Sequence, residues 1–232
     1  TIRVGVEACH GVFHASAMEH PDFIHFNTKG QPVISCPALA DYMRQHLHYI
    51  FVRDSARHGV LRYVYEGGVY RLYADDMLKG LIKNCIASYD PEMIEMRKVD
   101  ETFRILTTDL NYIKDSDLNA DEDIINFQNG ILHLSTMELT EHSADILSTI
   151  QIPCEWTREE IATPVFDAFI QTLTDGDTEI EQLLLEFIGA CLSNVKGWRM
   201  KKALFMYGAG DTGKSRLKCL VEQLLGRGDY VG

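Results

Sequence analysis

Long apolar runs, paired cysteines and a surplus of positive charge are all missing from this chain. No stretch is long and apolar enough to cross a bilayer as a helix, and no basic start followed by a short apolar run is visible after Thr1, so no membrane partner is expected. The six cysteines, Cys9, Cys36, Cys85, Cys154, Cys191 and Cys219, are scattered without a C-x-x-C pair. That usage suits a reducing compartment and small buried hydrophobes more than a disulfide frame or a zinc site. Cys9, His10, His14, His20 and His25 crowd the start of the chain, but their spacing fits no zinc pattern.

Lysine and arginine number 22 against 34 acidic residues, a net charge of −12. The deficit is local. Basic against acidic residues count 13 to 16 over 1–120, 1 to 15 over 121–195, and 8 to 3 over 196–232. The middle segment should repel a phosphate backbone. The last is basic, with Lys196, Arg199, Lys201 and Lys202 gathered ahead of an apolar stretch. A solvated strand entry is the plain reading of that cluster, and contact with nucleic acid or a neighbouring subunit is the other.

Apolar spacing and turn residues place the elements. Residues 37–50 (PALADYMRQHLHYI) read as a helix with Pro37 near its first turn. Residues 61–73 (LRYVYEGGVYRLY) read as a hairpin, two aromatic arms around EGG. A helix is expected over 75–89, where the acidic pair Asp75-Asp76 suits a helix start, and another over 100–113. In 121–134 (DEDIINFQNGILHL), Asn129-Gly130 signals a second hairpin turn. Residues 146–152 suggest a strand stopped by Pro153, and helices are expected over 163–173 and 179–195. The fold class expected is an α+β N-terminal region of helices with two β-hairpins, winged-helix-like in 36–90, then the start of an α/β AAA+-type ATPase. The expected domains are 1–120, an acidic hairpin with a helical linker or collar over 121–195, and 196–232.

Residues 208–215, GAGDTGKS, carry the sharpest chemical signal. They fit the phosphate-loop pattern G-x-x-x-x-G-K-[ST], which a chain this long meets by chance about once in a hundred. The flanks agree with it. The apolar stretch 203–207 reads as a buried strand, and KSRLKCLVEQLLG places Leu217, Leu220, Val221, Leu224 and Leu225 on one helical face with Gly226 as a stop. Such a loop turns backbone N–H groups and a helix N-terminus toward phosphates. The expected cofactors are ATP and Mg. The expected contact set is Gly208, Ala209, Gly210, Asp211, Thr212, Gly213, Lys214, Ser215 and Arg216. Lys214 is the catalytic cation at the β- and γ-phosphates, and Ser215 is the hydroxyl ligand to Mg. Asp211 is an unusual choice in an anion-binding loop, so its side chain is expected to face outward.

The chain begins at Thr1 and ends at Gly232, soon after this helix. A phosphate-loop ATPase also needs an acidic residue on a later strand and an arginine finger. The chain therefore reads as a fragment ending inside its catalytic domain and expected to be inactive alone.

Four segments resemble one family, in order. They are EGGVYRLYADDMLKGLI, INFQNGILHLSTMELTEHSAD, PVFDAFIQTLTDGDTEIEQLLLEFIGACLSN and RMKKALFMYGAGDTGKSRLKCLVEQLLG. Together they resemble the phage and plasmid primase-helicases, superfamily 3 helicases related to the poxvirus uncoating-type NTPase and the satellite-phage primase, over residues 62–232. The resemblance implies a DNA helicase with an AAA+-type core, active as a homo-hexamer on single-stranded DNA in the cytoplasm of a bacterial host cell. It carries the loop roles onto Gly208, Gly210, Gly213, Lys214 and Ser215. One departure is Thr212, where many members have Asn. The family's acidic strand, sensor, arginine finger and channel loop find no counterpart before Gly232, and no acidic primase metal motif is present. Two further readings stand beside the helicase: a non-catalytic oligomerisation or DNA-binding module upstream of a motor, and a small-molecule kinase. Against the kinase, more than 200 residues precede the loop, where kinases usually place it near the N-terminus.

Overall fold

The computed structural model describes residues 21–53, 59–108, 112–195, 200–210 and 212–226. The chain divides into two units, Thr1–Asp117 and Leu118–Gly232, and both mix helices with small sheets. The segments 121–195 and 196–232 fall within the same unit.

The first unit begins with strands β1 (Ile24–Phe26) and β2 (Pro32–Ile34), an antiparallel pair in which Ile24 faces Ile34. Helix α1 (Cys36–His46) follows, capped by the Ser35 hydroxyl accepting from the Ala38 N–H, with Pro37 in its first turn. The helix expected to run to residue 50 stops at His46. Residues Tyr49–Arg53 are strand β3, antiparallel to β4 (Val60–Glu66) over five residues from Tyr49↔Val64 to Arg53↔Val60. Tyr-Ile-Phe-Val is a β-branched and aromatic run, and pairing on a pleated surface outweighs one more helical turn there.

Strand β5 (Val69–Leu72) closes the hairpin with β4 around Gly67-Gly68. Strand β6 (Tyr112–Lys114) joins β3 in parallel, so the sheet order is β5-β4-β3-β6. The hairpin expected over 61–73 is the flank of this four-stranded sheet.

Helix α2 (Asp75–Tyr89) has the expected bounds. Helix α3 spans Met96–Thr107, not 100–113. Its buried positions are Val99, Thr102 and Leu106, so the helical face begins one residue ahead of the expected start. Tyr112-Ile113 alternate as a strand. One core fills this unit: Leu39, Ala40 and Met43 of α1, Leu78, Ile82 and Ile86 of α2, and Val99 and Leu106 of α3, packed with Val64 and Tyr73. Each fully buried Leu or Ile contributes roughly 2 kcal/mol.

The second unit opens with a meander of β7 (Ile124–Phe127), β8 (Gly130–His133) and β9 (Glu138–Thr140). Phe127 pairs with Gly130, so the turn lies at Gln128-Asn129, one residue before the expected Asn129-Gly130. Gly130 is already in the ladder, with φ +151, and a Cβ there would lie 2.4 Å from the Thr140 carbonyl oxygen on β9. Asn129 instead reaches across to Trp156, donating to its carbonyl at 2.8 Å and accepting from its N–H at 3.0 Å.

The strand expected over 146–152 is reduced to one parallel bridge, Ile152 to Phe127. Side chains organise the loops around it. His142 Nε2 lies 2.9 Å from the Phe127 carbonyl oxygen and 3.1 Å from Asn126 Oδ1. A carbonyl only accepts, so that nitrogen carries the proton.

Helices α4 (Pro164–Leu173), α5 (Thr178–Leu192) and α6 (Lys214–Leu224) complete the unit. Asp177 caps α5 by accepting from the N–H groups of Glu179 and Ile180. Ile170, Leu184, Ile188 and Leu217 join the three helices, with Phe166, Phe169 and Val221 around them. The buried strand expected at 203–207 is not formed: the segment has no regular structure and no strand partner among the described residues, and Phe205 and Tyr207 stand exposed.

Gly130→Ala should destabilise the second unit by about 2–4 kcal/mol, since the new methyl meets backbone rather than a movable side chain. Urea unfolding measures it.

Burial pushes the Cys85 thiol from 9.0 up to about 12. Unfolded, the thiol ionises near its ordinary value, while folded it keeps its proton. Stability is therefore full below about pH 9 and falls above it, with a slope on the order of 1 kcal/mol per pH unit until the folded value is reached. Unfolding at pH 8 and pH 10 should show the decline, and Cys85→Ala should flatten it.

Candidate phosphate-binding loop

The loop is placed by its last glycine. Gly213 sits at φ +90, immediately before α6, a left-handed turn that L side chains resist. A Cβ there would lie 3.1 Å from Phe169 Cε2 on α4. Conformation and packing thus both call for glycine. The Gly213 carbonyl accepts from the Arg216 and Leu217 N–H groups at 2.9 and 3.0 Å, which starts the helix. Leu217, buried among Ile170, Leu184 and Ile188, anchors that first turn.

Lys214 turns back over the loop. Its Nζ donates to the Gly208 carbonyl at 3.2 Å, to the Ala209 carbonyl, and to Thr212 Oγ1 at 2.7 Å. Thr212 Oγ1 in turn donates to the Ala209 carbonyl at 3.1 Å. A Cβ on Gly208 would point between Lys214 Nζ, 3.7 Å away, and Thr212 Oγ1, 3.8 Å away. The bare glycine therefore leaves open the space in front of the ammonium. A cation held beside a bare glycine, at the start of a helix, suits a phosphate group.

The structure brings together Gly208, Ala209, Thr212, Gly213 and Lys214. Ala209, Gly210, Ser215 and Arg216 are exposed. Asp211 lies outside the described residues. Lys214 and Thr212 border a cavity of about 480 Å³ with Asp175, Leu183, Leu204 and Tyr207. Arg216 borders a different one of about 710 Å³ with Val165, Phe166 and Cys219. Lys214 and Arg216, adjacent in the expected contact set, thus address separate cavities. Ser215 lies exposed in the first turn of α6. Among the described residues no group of three His, Cys, Asp or Glu side chains gathers at metal-binding spacing.

Two residues escaped the motif. Phe169 sets the loop position by its contact with Gly213, and Asp175, at φ +55, lines the cavity. Their only sequence signals are the helical period of PVFDAFIQTL and the Asp-Gly-Asp turn.

Three arginines of the first unit hold partners within it. Arg62 pairs with Asp75 at 2.7 Å and lies over the Phe103 ring, and Arg71 pairs with Glu66 at 3.7 Å. Arg53 stacks over Tyr112, 4.9 Å from the ring centre. Arg57, Lys196 and Arg199 lie outside the described residues. Lys201 and Lys202 are exposed. No described helix is long and apolar enough to cross a membrane.

A family model described as D5 N terminal like matches residues 40–175, more than half of the 232 residues. No curated protein matches the chain. The matched region ends before the loop, at the close of the α4 turn.

Gly213→Ala should cost about 1–3 kcal/mol, combining left-handed strain with the push on Phe169. The loss should show in the unfolding of the second unit, with the first unit unaffected.

Proposed function

The chain belongs to the D5 N-terminal-like family, and from that membership we propose that it is part of an ATP-dependent DNA helicase of the phage and plasmid primase-helicase kind. D5 N-terminal-like domains occur in phage and viral primase-helicase proteins. The observation that carries the reading is the joint presence of that region and, downstream, a Gly208–Ser215 loop whose lysine is cradled by the loop's own oxygens.

ATP with Mg supplies the phosphoanhydride and a divalent cation. This chain supplies the loop that would hold them. Gly208 keeps the space before the ammonium clear. Lys214 offers the fixed positive charge that a transferred phosphoryl group needs, the kind of preorganised electrostatics that dominates such reactions. Ser215 offers a hydroxyl to Mg, and the first turn of α6 presents backbone N–H groups. The proposed protein works as a homo-hexameric AAA+-type ring on single-stranded DNA, in the cytoplasm of a bacterial host.

The family match stops at residue 175. This favours a second reading for that region alone: a non-catalytic oligomerisation or DNA-binding module that serves the motor. In the first unit Arg62 and Arg71 already hold carboxylates, which favours a supporting role over phosphate contact.

DNA-stimulated ATP hydrolysis by the complete protein is the test. Lys214→Ala should lower turnover at least about 100-fold, as expected for loss of the cation at the transferred phosphate. Hydrolysis at the parental rate in that variant would remove Lys214 from the site.

A further inference from the structure

On the phosphate-loop reading proposed above, Lys214 needs its ammonium held where phosphates arrive. An ammonium has three protons, and the loop meets them with the Gly208 carbonyl, the Ala209 carbonyl and Thr212 Oγ1. Two of these acceptors are backbone, which any residue at those positions supplies. The third is a side chain, so the residue at position 212 decides whether it exists.

The Thr212 hydroxyl makes two bonds at once. Its proton goes to the Ala209 carbonyl at 3.1 Å, and a lone pair receives the Lys214 ammonium at 2.7 Å. One donor and two acceptor sites on a hydroxyl make both bonds compatible. The Ala209 carbonyl has two lone pairs and takes Thr212 and Lys214 together. The three groups close a ring on one side of the ammonium.

We infer that the Thr212 hydroxyl is a positioning group, which fixes the Lys214 ammonium at the loop mouth and thereby sets the affinity for nucleotide phosphates. Thr212 and Ala209 are exposed, so water would satisfy both groups in a protein that lacked the ring, and folding gains little from it. The gain falls on the ligand. A long, flexible lysine stem loses less freedom on binding when its end is already held. A phosphate oxygen arriving at the ammonium must displace one acceptor. The Gly208 carbonyl, at 3.2 Å the longest of the three contacts, is the one to yield. The Ala209 carbonyl and the Thr212 hydroxyl then remain as guides.

The test is binding of a fluorescent ATP analogue to the full chain and to three variants: Thr212→Val, which keeps shape and deletes the hydroxyl, Thr212→Ser, which keeps the hydroxyl, and Lys214→Ala. Thr212→Val should raise the Kd roughly five- to tenfold, the effect of one solvent-exposed hydrogen bond. Thr212→Ser should recover most of the parental affinity, and the thermal midpoint of Thr212→Val should match the parent. Parental affinity in Thr212→Val, or equal losses in Thr212→Val and Thr212→Ser, would overturn the role of the hydroxyl and leave the loop assignment standing. A midpoint that drops together with affinity would make the role structural and overturn it too. A parent that binds no analogue, or a Lys214→Ala variant that binds as the parent does, would overturn both the role and the loop assignment.

Discussion

The second unit turns on one steric fact: Phe169 presses where a side chain at position 213 would stand. Only glycine adopts φ +90 there without strain and leaves room for the ring. From this contact follow the start of α6 and the seating of Leu217 among Ile170, Leu184 and Ile188. The direction from which Lys214 leaves the helix follows as well. The next residue after the glycine is the lysine, so its stem is launched from the first helical turn back across the loop. A phosphate loop is usually described by its glycines and its lysine. Here a phenylalanine on a preceding helix packs against the last glycine of the candidate loop and pins that end to a core.

How much of this was legible in the sequence depended on whether short-range or long-range forces decided an element. Helix α2 has its expected bounds because Asp75-Asp76 starts it and Asp90-Pro91 stops it locally. Both hairpins were legible for the same reason: arms of aromatic and β-branched residues flank a turn. The second turn moved by one residue because Gly130 answers to a neighbour outside the hairpin, the Thr140 carbonyl of β9. The helix over 37–50 overran into β3, and the strand β6 was read as the end of a helix, because both strands exist only through each other and β4. No window of ten residues contains that pairing. The strand expected at 203–207 shows the converse. Its composition is that of a buried strand, but a strand needs a neighbour, and Leu204–Tyr207 meets none among the described residues.

For the candidate site, the motif pointed to Gly208, Gly213, Lys214 and Ser215, and the Lys214 ammonium bonds to the loop at Gly208, Ala209 and Thr212. It was silent on Phe169 and Asp175, which reach the loop from α4 and the turn after it, about 40 residues upstream in the chain. A motif records what the backbone of one loop requires. It holds no record of the distant residues that pin the loop or shape the cavity beside it.

Charge divides the chain along a different line from structure. The acids of 121–195 and the bases of 196–232 lie in one unit, so the acidic count cannot be assigned to a separate collar on charge alone. In the first unit Arg44, Arg62 and Arg71 are held by carboxylates. Arg62 bridges the sheet to α2 through Asp75 while lying over Phe103 of α3, and Lys79 repeats the arrangement with Asp100 at 2.7 Å and the same ring at 5.0 Å. One aromatic ring flanked by two cations, each held by a carboxylate from a helix, joins sheet, α2 and α3 at a single point. Exposed pairs of this kind contribute little each, but here they share a ring and fix the register of three elements. Cations committed to such a junction cannot also neutralise phosphates without dismantling it, since releasing Arg62 would leave Asp75 unpaired at the start of α2. The first unit is therefore built as a packed body whose cations serve its own junction, which favours the supporting role proposed for it.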